Sequence, residues 1–306
     1  MKRNKADDIN GWLIIDKPKD MTSTQVVGKT RWLLHANKNG HAGTLDPFAT
    51  GILPIAFGEA TKLVPYVTDG RKEYEFVLRF GIKTTTGDPE GEIIAQSEKR
   101  PSDDEILQAL PHFLGSITQV PPIYSAIKIN GQEAYKRARR GESVEIPTRQ
   151  VTIYALEMLE SFADSAKFRV ECSKGTYIRT LGQDLAEHLG SVGYLTELRR
   201  TKCANFDLKS KILLDSLEKI EYVEDRRSFL LPIETSLRDI AEIAVTAEDA
   251  AKLMKGQGLS PKNYTLPSAE GTAAAMFANC LVALVRWDQR KITPIRVFNL
   301  LNKKDL

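Results

Sequence analysis

The chain has 306 residues, of which 42% are hydrophobic and 27% are charged, and its formal net charge is +3. This length predicts one large domain with a smaller companion, and the nearly balanced charge by itself neither favours nor excludes a polyanionic partner. Three widely spaced cysteines without a CxxC pair indicate neither a disulfide framework nor a zinc site. The lack of a signal pattern and of a long apolar run predicts a soluble, cytoplasmic protein.

The first eighty residues alternate between strand-like and helix-like patterns. In chain order we predict a buried strand at 11–15, a helix from Thr22 or Ser23, a central strand at 52–57, a short helix at 59–67 and a strand at 72–80. The strand at 72–80 has the clearest pattern, because large apolar residues recur at every second position. One face of it carries Tyr74, Phe76, Leu78 and Phe80.

A glycine-rich loop around a single carboxylate, Asp46, lies between the first helix and the strand at 52–57. Gly43 and Gly51 permit backbone conformations that are closed to other residues, and Pro47 restricts the geometry directly after the carboxylate. A loop of this kind can hold Asp46 at a set angle for catalysis. An Asp-Pro pair flanked by glycines is also typical of a plain turn, and the residues alone leave both interpretations open.

The central part of the chain predicts a mixed α+β fold. Its elements are a helix opened by the capping box Ser102–Glu105, a tight turn at Asn130-Gly131, strands at 151–162 and 166–172, and a helix at 176–189. Strands and helices interleave without a regular repeat of about 30 residues. This pattern favours a mixed sheet over a doubly wound parallel one.

Near Ile240 the composition changes. The remaining chain predicts a helix at 247–255, a glycine turn at 256–258 and strands at 281–287 and 295–300. We therefore divide the chain into a domain at 1–240 and a small β-rich module at 241–306.

A second candidate site occupies 173–179, at the predicted start of a helix. Gly175 and Thr176, a possible helix cap, place free backbone donors beside the ring of Tyr177 and the guanidinium of Arg179. Such a group suits an anion or a flat polar ring. The alternative is that Tyr177 belongs to the core and Arg179 pairs with a local carboxylate.

A basic run follows the Asn-Gly turn and consists of Lys136, Arg137, Arg139 and Arg140. It could bind a phosphate backbone, or it could be a solvated face balanced by Glu133 and Glu142. The four histidines show no metal-ligand spacing, and the GxxxxGK[ST] phosphate loop is missing. A single carboxylate acting on a bound ligand is the chemistry that remains.

Taken together, these segments closely resemble the bacterial tRNA pseudouridine-55 synthases, the TruB family. The resemblance covers nearly the whole chain, and two of its blocks, around Asp46 and at 174–179, are specific. The matching segments are Lys17-Pro18 with Thr22-Ser23, 40–47 followed by Ala49, Gly51 and Leu53, 58–62, Tyr74, 84–91, 121–126 and 173–181.

The resemblance implies conversion of uridine-55 in the T arm of tRNA to pseudouridine, without a metal or another cofactor. It implies a pseudouridine synthase fold with a mixed, mainly antiparallel central sheet, an inserted RNA-gripping segment at about 122–150, and a PUA-like RNA-binding module at 241–306. A monomer that needs no protein partner is expected. An RNA-binding or RNA-folding module without turnover, and a related synthase acting on another RNA, are the alternatives.

The resemblance also assigns roles to single residues. Asp46 would be the catalytic aspartate and Arg179 the partner of its carboxylate. The remaining candidates would contact the substrate: Tyr74 as the ring against the flipped base, Tyr177 and Lys62 as pocket residues, His41 in the space left by flipped nucleotides, Lys17 among the substrate-binding residues, and Lys136, Arg137, Arg139 and Arg140 on the RNA backbone. The family commonly has glycine where this chain has Asp20, so a left-handed backbone is expected at that aspartate.

Overall fold

The structure, a computed structural model, describes residues 6–122, 128–129, 132–133, 140, 146–266 and 268–301. The strands are β1 (Gly11–Lys17), β2 (Asn39–His41), β3 (Thr50–Phe57), β4 (Lys72–Phe80), β5 (Ile82–Thr84), β6 (Ile93–Gln96), β7 (Gly115–Gln119), β8 (Lys128–Ile129), β9 (Gln132–Glu133), β10 (Arg149–Ser161), β11 (Ser165–Cys172), β12 (Gly193–Cys203), β13 (Phe206–Asp207), β14 (Ile212–Leu213), β15 (Ala241–Ala244), β16 (Gly271–Phe277), β17 (Cys280–Trp287) and β18 (Ile292–Val297). The helices are α1 (Ser23–Leu33), α2 (Val64–Asp69), α3 (Asp103–Ala109), α4 (Ile178–His188), α5 (Leu214–Lys219), α6 (Val223–Arg227) and α7 (Ala247–Met254).

A large mixed sheet forms the centre of the fold. Its strand order in the described residues is β14-β1-β3-β12-β4-β11-β10-β7, with β2 added to β3 and β13 added to β12. Strands β1 and β14 pair in parallel, as do β3 and β12, while the other pairs are antiparallel. The predicted α+β class with a mainly antiparallel sheet is therefore confirmed.

Two hydrophobic layers cover the two faces of this sheet. Leu13 of β1 belongs to a cluster with Val26 of α1 and Leu181 of α4. The neighbouring residue Trp12 faces the opposite side, where its cluster includes Leu284 of β17. Because side chains alternate along a strand, one strand serves both layers. The C-terminal sheet thus packs on the face opposite α1 and α4.

The predicted helix and strand starts are largely confirmed. Thr22 caps α1, accepting a hydrogen bond from the backbone N–H of Gln25, and Ser102 caps α3 in the same way through Glu105. The segment predicted as one short helix at 59–67 is a 3₁₀ turn at Gly58–Leu63 that continues into α2.

The predicted cap at Thr176 is wrong. The extended residue before α4 is Tyr177, which makes no side-chain capping bond. Thr176 lies one residue before the cap position, and its hydroxyl donates to the carbonyl of Ser173, in a turn where Gly175 has φ +79°. The start of α4 is fixed instead from β7, since the amide of Gln119 bonds both the N–H and the carbonyl of Tyr177 at 3.0 and 3.3 Å.

The separate C-terminal sheet has the strand order β15-β16-β17-β18. The predicted helix at 247–255 and strand at 281–287 correspond to α7 and β17. The last strand runs over Ile292–Val297 rather than 295–300. It lies at the edge of the sheet, where Pro294 is tolerated because its missing N–H is not needed by a second neighbour.

Much of the predicted insertion at 122–150 lies outside the described residues, including Lys136, Arg137 and Arg139. Arg140 is described and is exposed. Strands β8 and β9 pair in antiparallel fashion on either side of Asn130-Gly131, which itself lies outside the described residues. No helix in the described ranges is long and apolar enough to cross a membrane.

Candidate active site

The Asp46 loop opens onto a cavity of about 650 Å³ at the middle of the large sheet. Five parts of the fold meet there: the Asp46 loop, the end of α2, the start of β10, the start of α4 with the turn before it, and the adjacent strands β4 and β12. Tyr74, Tyr177 and Arg179 lie with Asp46 on its wall, so the structure brings these four predicted residues together.

The Asp46 loop is held in place by backbone contacts on both sides of the carboxylate. The hydroxyl of Ser23, at the start of α1, accepts from the N–H of Leu45 at 2.9 Å and donates to its carbonyl at 3.0 Å. Gly51 has φ +99°, and a Cβ there would lie 2.2 Å from the carbonyl oxygen of Arg200 on β12. Only glycine fits such an approach, which confirms that the glycines serve geometry.

Arg179 connects Asp46 to a second carboxylate. Its Nε lies 2.9 Å from Oδ2 of Asp46, and its Nη1 lies 3.1 Å from Oδ2 of Asp88. Nη1 also donates to the carbonyl of Thr86 at 2.9 Å. The side chains of Arg179 and Asp88 are each 4% exposed, whereas that of Asp46 is 33% exposed. A buried guanidinium fork of this kind fixes both the position and the direction of Asp46.

Asp88 was not singled out as a site residue from the sequence. It lies in 84–91, one of the segments that carry the family resemblance, and that was the available signal. Its carboxylate accepts from the N–H of Glu90 at 3.0 Å and contacts the hydroxyl of Thr86. These local bonds hold the Asp88 carboxylate where it meets Arg179.

Opposing effects act on the ionisation of Asp46. Burial raises the pKa of the Asp46 carboxyl above its ordinary value of 3.8, and the nearby negative charge of Asp88 acts in the same direction. Arg179 opposes both by favouring the ionised form, but the net direction is upward. The folded protein therefore disfavours the ionised form of Asp46 relative to a carboxyl in water. A raised pKa of this kind is typical of functional carboxylates.

Two aromatic rings line the same cavity. Tyr74 lies on the buried face of β4, and burial raises its pKa to about 12. Tyr177 is half-buried, and the guanidinium of Arg149 lies 5.4 Å from its ring centre. Arg149 and Arg200, which also line the cavity, were missed because each occurs in a strand without a local motif.

Lys17 is not among the residues that line the cavity, and its role in substrate binding stays a prediction. Its side chain is fully buried, and Nζ donates to the carbonyls of Pro18, Met21 and Pro47 at 2.8, 2.6 and 2.9 Å. Burial lowers its pKa to about 8. Because Pro47 directly follows Asp46, Lys17 anchors the loop from behind.

Asp20 completes this anchor. Its N–H donates to the carbonyl of Pro47 at 2.9 Å, and its φ is +64°. The left-handed backbone expected at this aspartate is thus confirmed.

Replacing Lys17 with methionine is expected to lower the free energy of unfolding by about 3 kcal/mol, because three carbonyl groups lose their shared donor. Thermal and urea unfolding measure this loss. Lys19→Met is the matched control, since Lys19 is exposed, and it should change stability by less than about 0.5 kcal/mol. Equal stability of the two variants would show that Lys17 does not anchor the loop.

Lys62 and His41 also lie off the cavity wall. The Nζ of Lys62 lies 2.6 Å from Glu59 and donates to the carbonyl of Val297 at 2.8 Å, which ties it to the C-terminal sheet. Lys62 is not among the residues that line this cavity, and its role in substrate binding stays a prediction. His41 is part of β2, and burial, with a smaller effect of Arg200, lowers its pKa. Its role beside flipped nucleotides stays a prediction.

Two adjoining family models together match residues 31–238. Residues 31–178 match the N-terminal domain of the TruB family pseudouridylate synthases, and residues 179–238 match the tRNA pseudouridylate synthase B C-terminal domain. A curated relative from Caulobacter vibrioides, named tRNA pseudouridine synthase B, is 45% identical over 98% of this chain and 99% of its own. A relative of the same name from Rhizobium johnstonii is 44% identical over 97% and 98%.

Solved structures show the same fold. The chain matches a structure described as a Cbf5-Nop10-Gar1 complex with a TM-score of 0.72 and 26% identity, over 94% of this chain and 83% of the other. It matches a structure of an H/ACA RNP bound to a substrate RNA with a TM-score of 0.74 and 23% identity, over 96% and 86%. The two family models and the curated relatives show that the chain belongs to the TruB family of pseudouridylate synthases.

Proposed function

We propose that this protein is a tRNA pseudouridine synthase that converts uridine-55 in the T arm of tRNAs to pseudouridine. The observation that carries the proposal is the Asp46–Arg179–Asp88 arrangement beside Tyr74 in one cavity. Curated relatives at 43–46% identity are named tRNA pseudouridine synthase B. In this proposal Asp46 is the catalytic aspartate.

The target uridine has to leave its stack to reach Asp46. The atoms that react are hidden within folded RNA, so the nucleotide is extruded into the cavity and its lost stacking is replaced by contacts with protein. Tyr74 and Tyr177 offer aromatic faces on the cavity wall for this purpose.

A single carboxylate suits the reaction. The bond between C1′ and N1 has to break, the uracil has to turn, and a new bond has to form between C1′ and C5. Asp46 could attack the sugar, attack the base, or remove a sugar proton, and it can leave again after each of these steps. Arg179 keeps Asp46 ionised and directed into the cavity.

The reaction so described needs neither a metal nor another cofactor. We further propose that the protein acts as a monomer without a required protein partner, in the cytoplasm, where its tRNA substrate is found. Full activity of the purified chain at a concentration where sedimentation shows one copy per particle is the expected result.

A tritium-release assay tests the proposed function. A T-arm transcript labelled with tritium at C5 of uridine should release tritium to water, because C5 loses its proton when it bonds to C1′. A transcript with cytidine at position 55 serves as the control. Binding of the transcript without release would favour an RNA-binding or RNA-folding module, and release from another RNA alone would indicate a different substrate.

We propose that the basic run of the insertion binds the RNA backbone. Replacing Arg137 and Arg139 with alanine should weaken tRNA binding and reduce the slope of log K against log salt by about 1.4 to 1.8, since each phosphate contact contributes roughly 0.7 to 0.9. Filter binding from 50 to 300 mM salt measures the slope. Glu133→Ala with Glu142→Ala is the matched control, and an unchanged slope in the arginine variant would identify the run as a solvated face.

We also propose that residues 241–306 form a PUA-like RNA-binding module. The support is a separate four-stranded sheet whose inner face packs on the large sheet through Leu284. The contacts of Lys62 and Glu59 with Val297 and Asn299 add polar links at the same junction. The module would therefore be held at a fixed position relative to the cavity.

A further inference from the structure

The wall of the Asp46 cavity carries more positive than negative charge. Among the described residues that line it, Asp46 is the one acid, and the basic residues are Lys72, Arg149, Lys174, Arg179 and Arg200. Lys174 pairs with Asp69, and Arg179 pairs with Asp46 and Asp88. Within the described chain, no carboxylate forms an ion pair with Lys72, Arg149 or Arg200.

Arg200 is the most deeply buried of the three, with 1% of its surface exposed. Its Nε donates to the carbonyl of Ile52 at 2.7 Å and its Nη2 to the carbonyl of Gly43 at 3.0 Å. It lies directly opposite Tyr74 in the register of β12 and β4, so its guanidinium is a neighbour of the phenol. All of these partners are neutral, so the positive charge of Arg200 remains uncompensated at the cavity wall.

The neighbouring guanidinium of Arg200 favours one direction of the Tyr74 hydroxyl, since the two residues face each other across β4 and β12 and both line the cavity. A guanidinium has donors and no acceptor, so towards Arg200 the phenolic oxygen of Tyr74 can only accept. The phenolic proton is therefore directed away from Arg200 and is free for a ligand in the cavity. Since burial raises the pKa of Tyr74 to about 12, the phenol keeps that proton at neutral pH.

Lys72 adds a second buried cation at the same end. It precedes Tyr74 by two residues on the buried face of β4, and its side chain is 6% exposed. Its Nζ donates to the carbonyl of Gly70 at 2.6 Å and also bonds the carbonyl of Thr68 at the end of α2. The cavity is thus polarised, with the Asp46 carboxylate on one side and two buried cations beside Tyr74.

We propose that Arg200 is a positioning residue which, with Lys72, stabilises negative charge on the uracil base while its bond to the sugar is being exchanged. Arg200 acts through the hydroxyl of Tyr74, which donates to a carbonyl oxygen of the base. This inference rests on the proposed function.

The charge follows from the electron balance of the reaction. When the bond between C1′ and N1 breaks, its electron pair passes to uracil, while C1′ bonds to an oxygen of Asp46 or the sugar gives a 2′ proton to it. If Asp46 adds to C6 of the base instead, the electron pair of the C5–C6 double bond moves onto a carbonyl oxygen, and the bond to Asp46 breaks again at the end of the reaction. Formation of the bond between C1′ and C5 consumes the pair on the base, while the bond from C1′ to Asp46 breaks or the 2′ carbon regains its proton from Asp46. The proton lost from C5 is matched by one gained at N1. Every route places negative charge on the base.

Two replacements separate the charge of Arg200 from its hydrogen bonds. Arg200→Gln keeps a donor for the carbonyl groups but removes the charge, whereas Arg200→Lys keeps the charge. With a saturating T-arm transcript we expect the single-turnover rate of Arg200→Gln to be about 100-fold lower than that of the wild-type protein, as for loss of one preorganised donor. The single-turnover rate of Arg200→Lys should be at least about tenfold higher than that of Arg200→Gln. The dissociation constant for tRNA should change less than about threefold.

A more acidic base provides the readout that a structural defect would not alter. 4-Thiouracil bears negative charge more easily than uracil. On a transcript with 4-thiouridine at the target position, the factor by which Arg200→Gln lowers the single-turnover rate should therefore be at least about fivefold smaller than on uridine. Arg199→Gln is the matched control, since Arg199 pairs with Asp16 away from the Asp46 cavity and should show the same small change on both bases.

The outcomes are distinct. An inactive wild-type protein would refute the proposed function. If the wild-type protein is active, the role of Arg200 would be refuted by equal losses of rate in Arg200→Gln and Arg200→Lys. It would also be refuted if Arg200→Gln lowered the rate by the same factor on uridine and on 4-thiouridine. If Arg200→Gln fails to fold, Tyr74→Phe removes the hydroxyl beside Arg200 and keeps the cation. Its loss of single-turnover rate should likewise be smaller on 4-thiouridine than on uridine. An equal loss of rate on the two bases would again refute the inference.

Discussion

Replacement of Asp46 with asparagine should abolish pseudouridine formation, lowering the rate by roughly 10⁴-fold or more, because the only acid on the described cavity wall is lost. The asparagine keeps the shape of the side chain, so binding of the T-arm transcript should change little. Tritium release and filter binding measure the two properties separately. Retained turnover would show that Asp46 is not the catalytic residue.

Stability provides the control for this experiment. Burial raises the pKa of Asp46, so its ionised form lowers the stability of the fold at every pH above that raised value, and the effect disappears below the ordinary value of 3.8. Asp46→Asn should therefore be at least as stable as the wild-type protein at pH 7, as measured by thermal unfolding. Asp164→Asn is the matched variant, because Asp164 pairs with Arg79 on the surface and should retain activity.

The sequence predicted the strands and helices whose pattern is local. Strand β4 was recognised from its alternating apolar residues, and α1 and α3 from their capping boxes. Strand β12, which lies between β3 and β4 at the centre of the sheet, was not predicted. Its residues include Glu197, Arg199 and Arg200, charges that a central strand tolerates here because Arg200 bonds backbone carbonyls and Arg199 pairs with Asp16.

The site was predicted in its principal members but not in its supports. The family resemblance assigned Asp46, Tyr74, Tyr177 and Arg179, and these residues meet at one cavity although their elements are distant in sequence. What could not be predicted depends on long-range packing. A buried lysine has the same sequence signal whether it faces a ligand or three carbonyls, so the backbone contacts of Lys17 could not be predicted.

Arg179→Lys should lower the rate by about 100-fold, because a lysine cannot reproduce the fork that holds Asp46 and Asp88 together. The pH dependence should change as well. Arg179 favours the ionised form of Asp46, so a weaker partner raises the pKa of that carboxyl further. As the pH is lowered, activity should then begin to fall at a higher pH than in the wild-type protein. The measurement is the acid limb of the pH profile, the range in which the single-turnover rate declines with decreasing pH. Arg169→Lys, at an exposed ion pair with Glu157, is the control.

Asp88→Asn should move the acid limb in the opposite direction. The negative charge of Asp88 raises the pKa of Asp46, so its removal lets Asp46 ionise at lower pH while Arg179 still holds the catalytic carboxylate. A purely structural loss would reduce the rate at all pH values without shifting the limb. Shifts of opposite sign in Arg179→Lys and Asp88→Asn would therefore show that the two residues set the ionisation of Asp46, and shifts of the same sign would contradict that role.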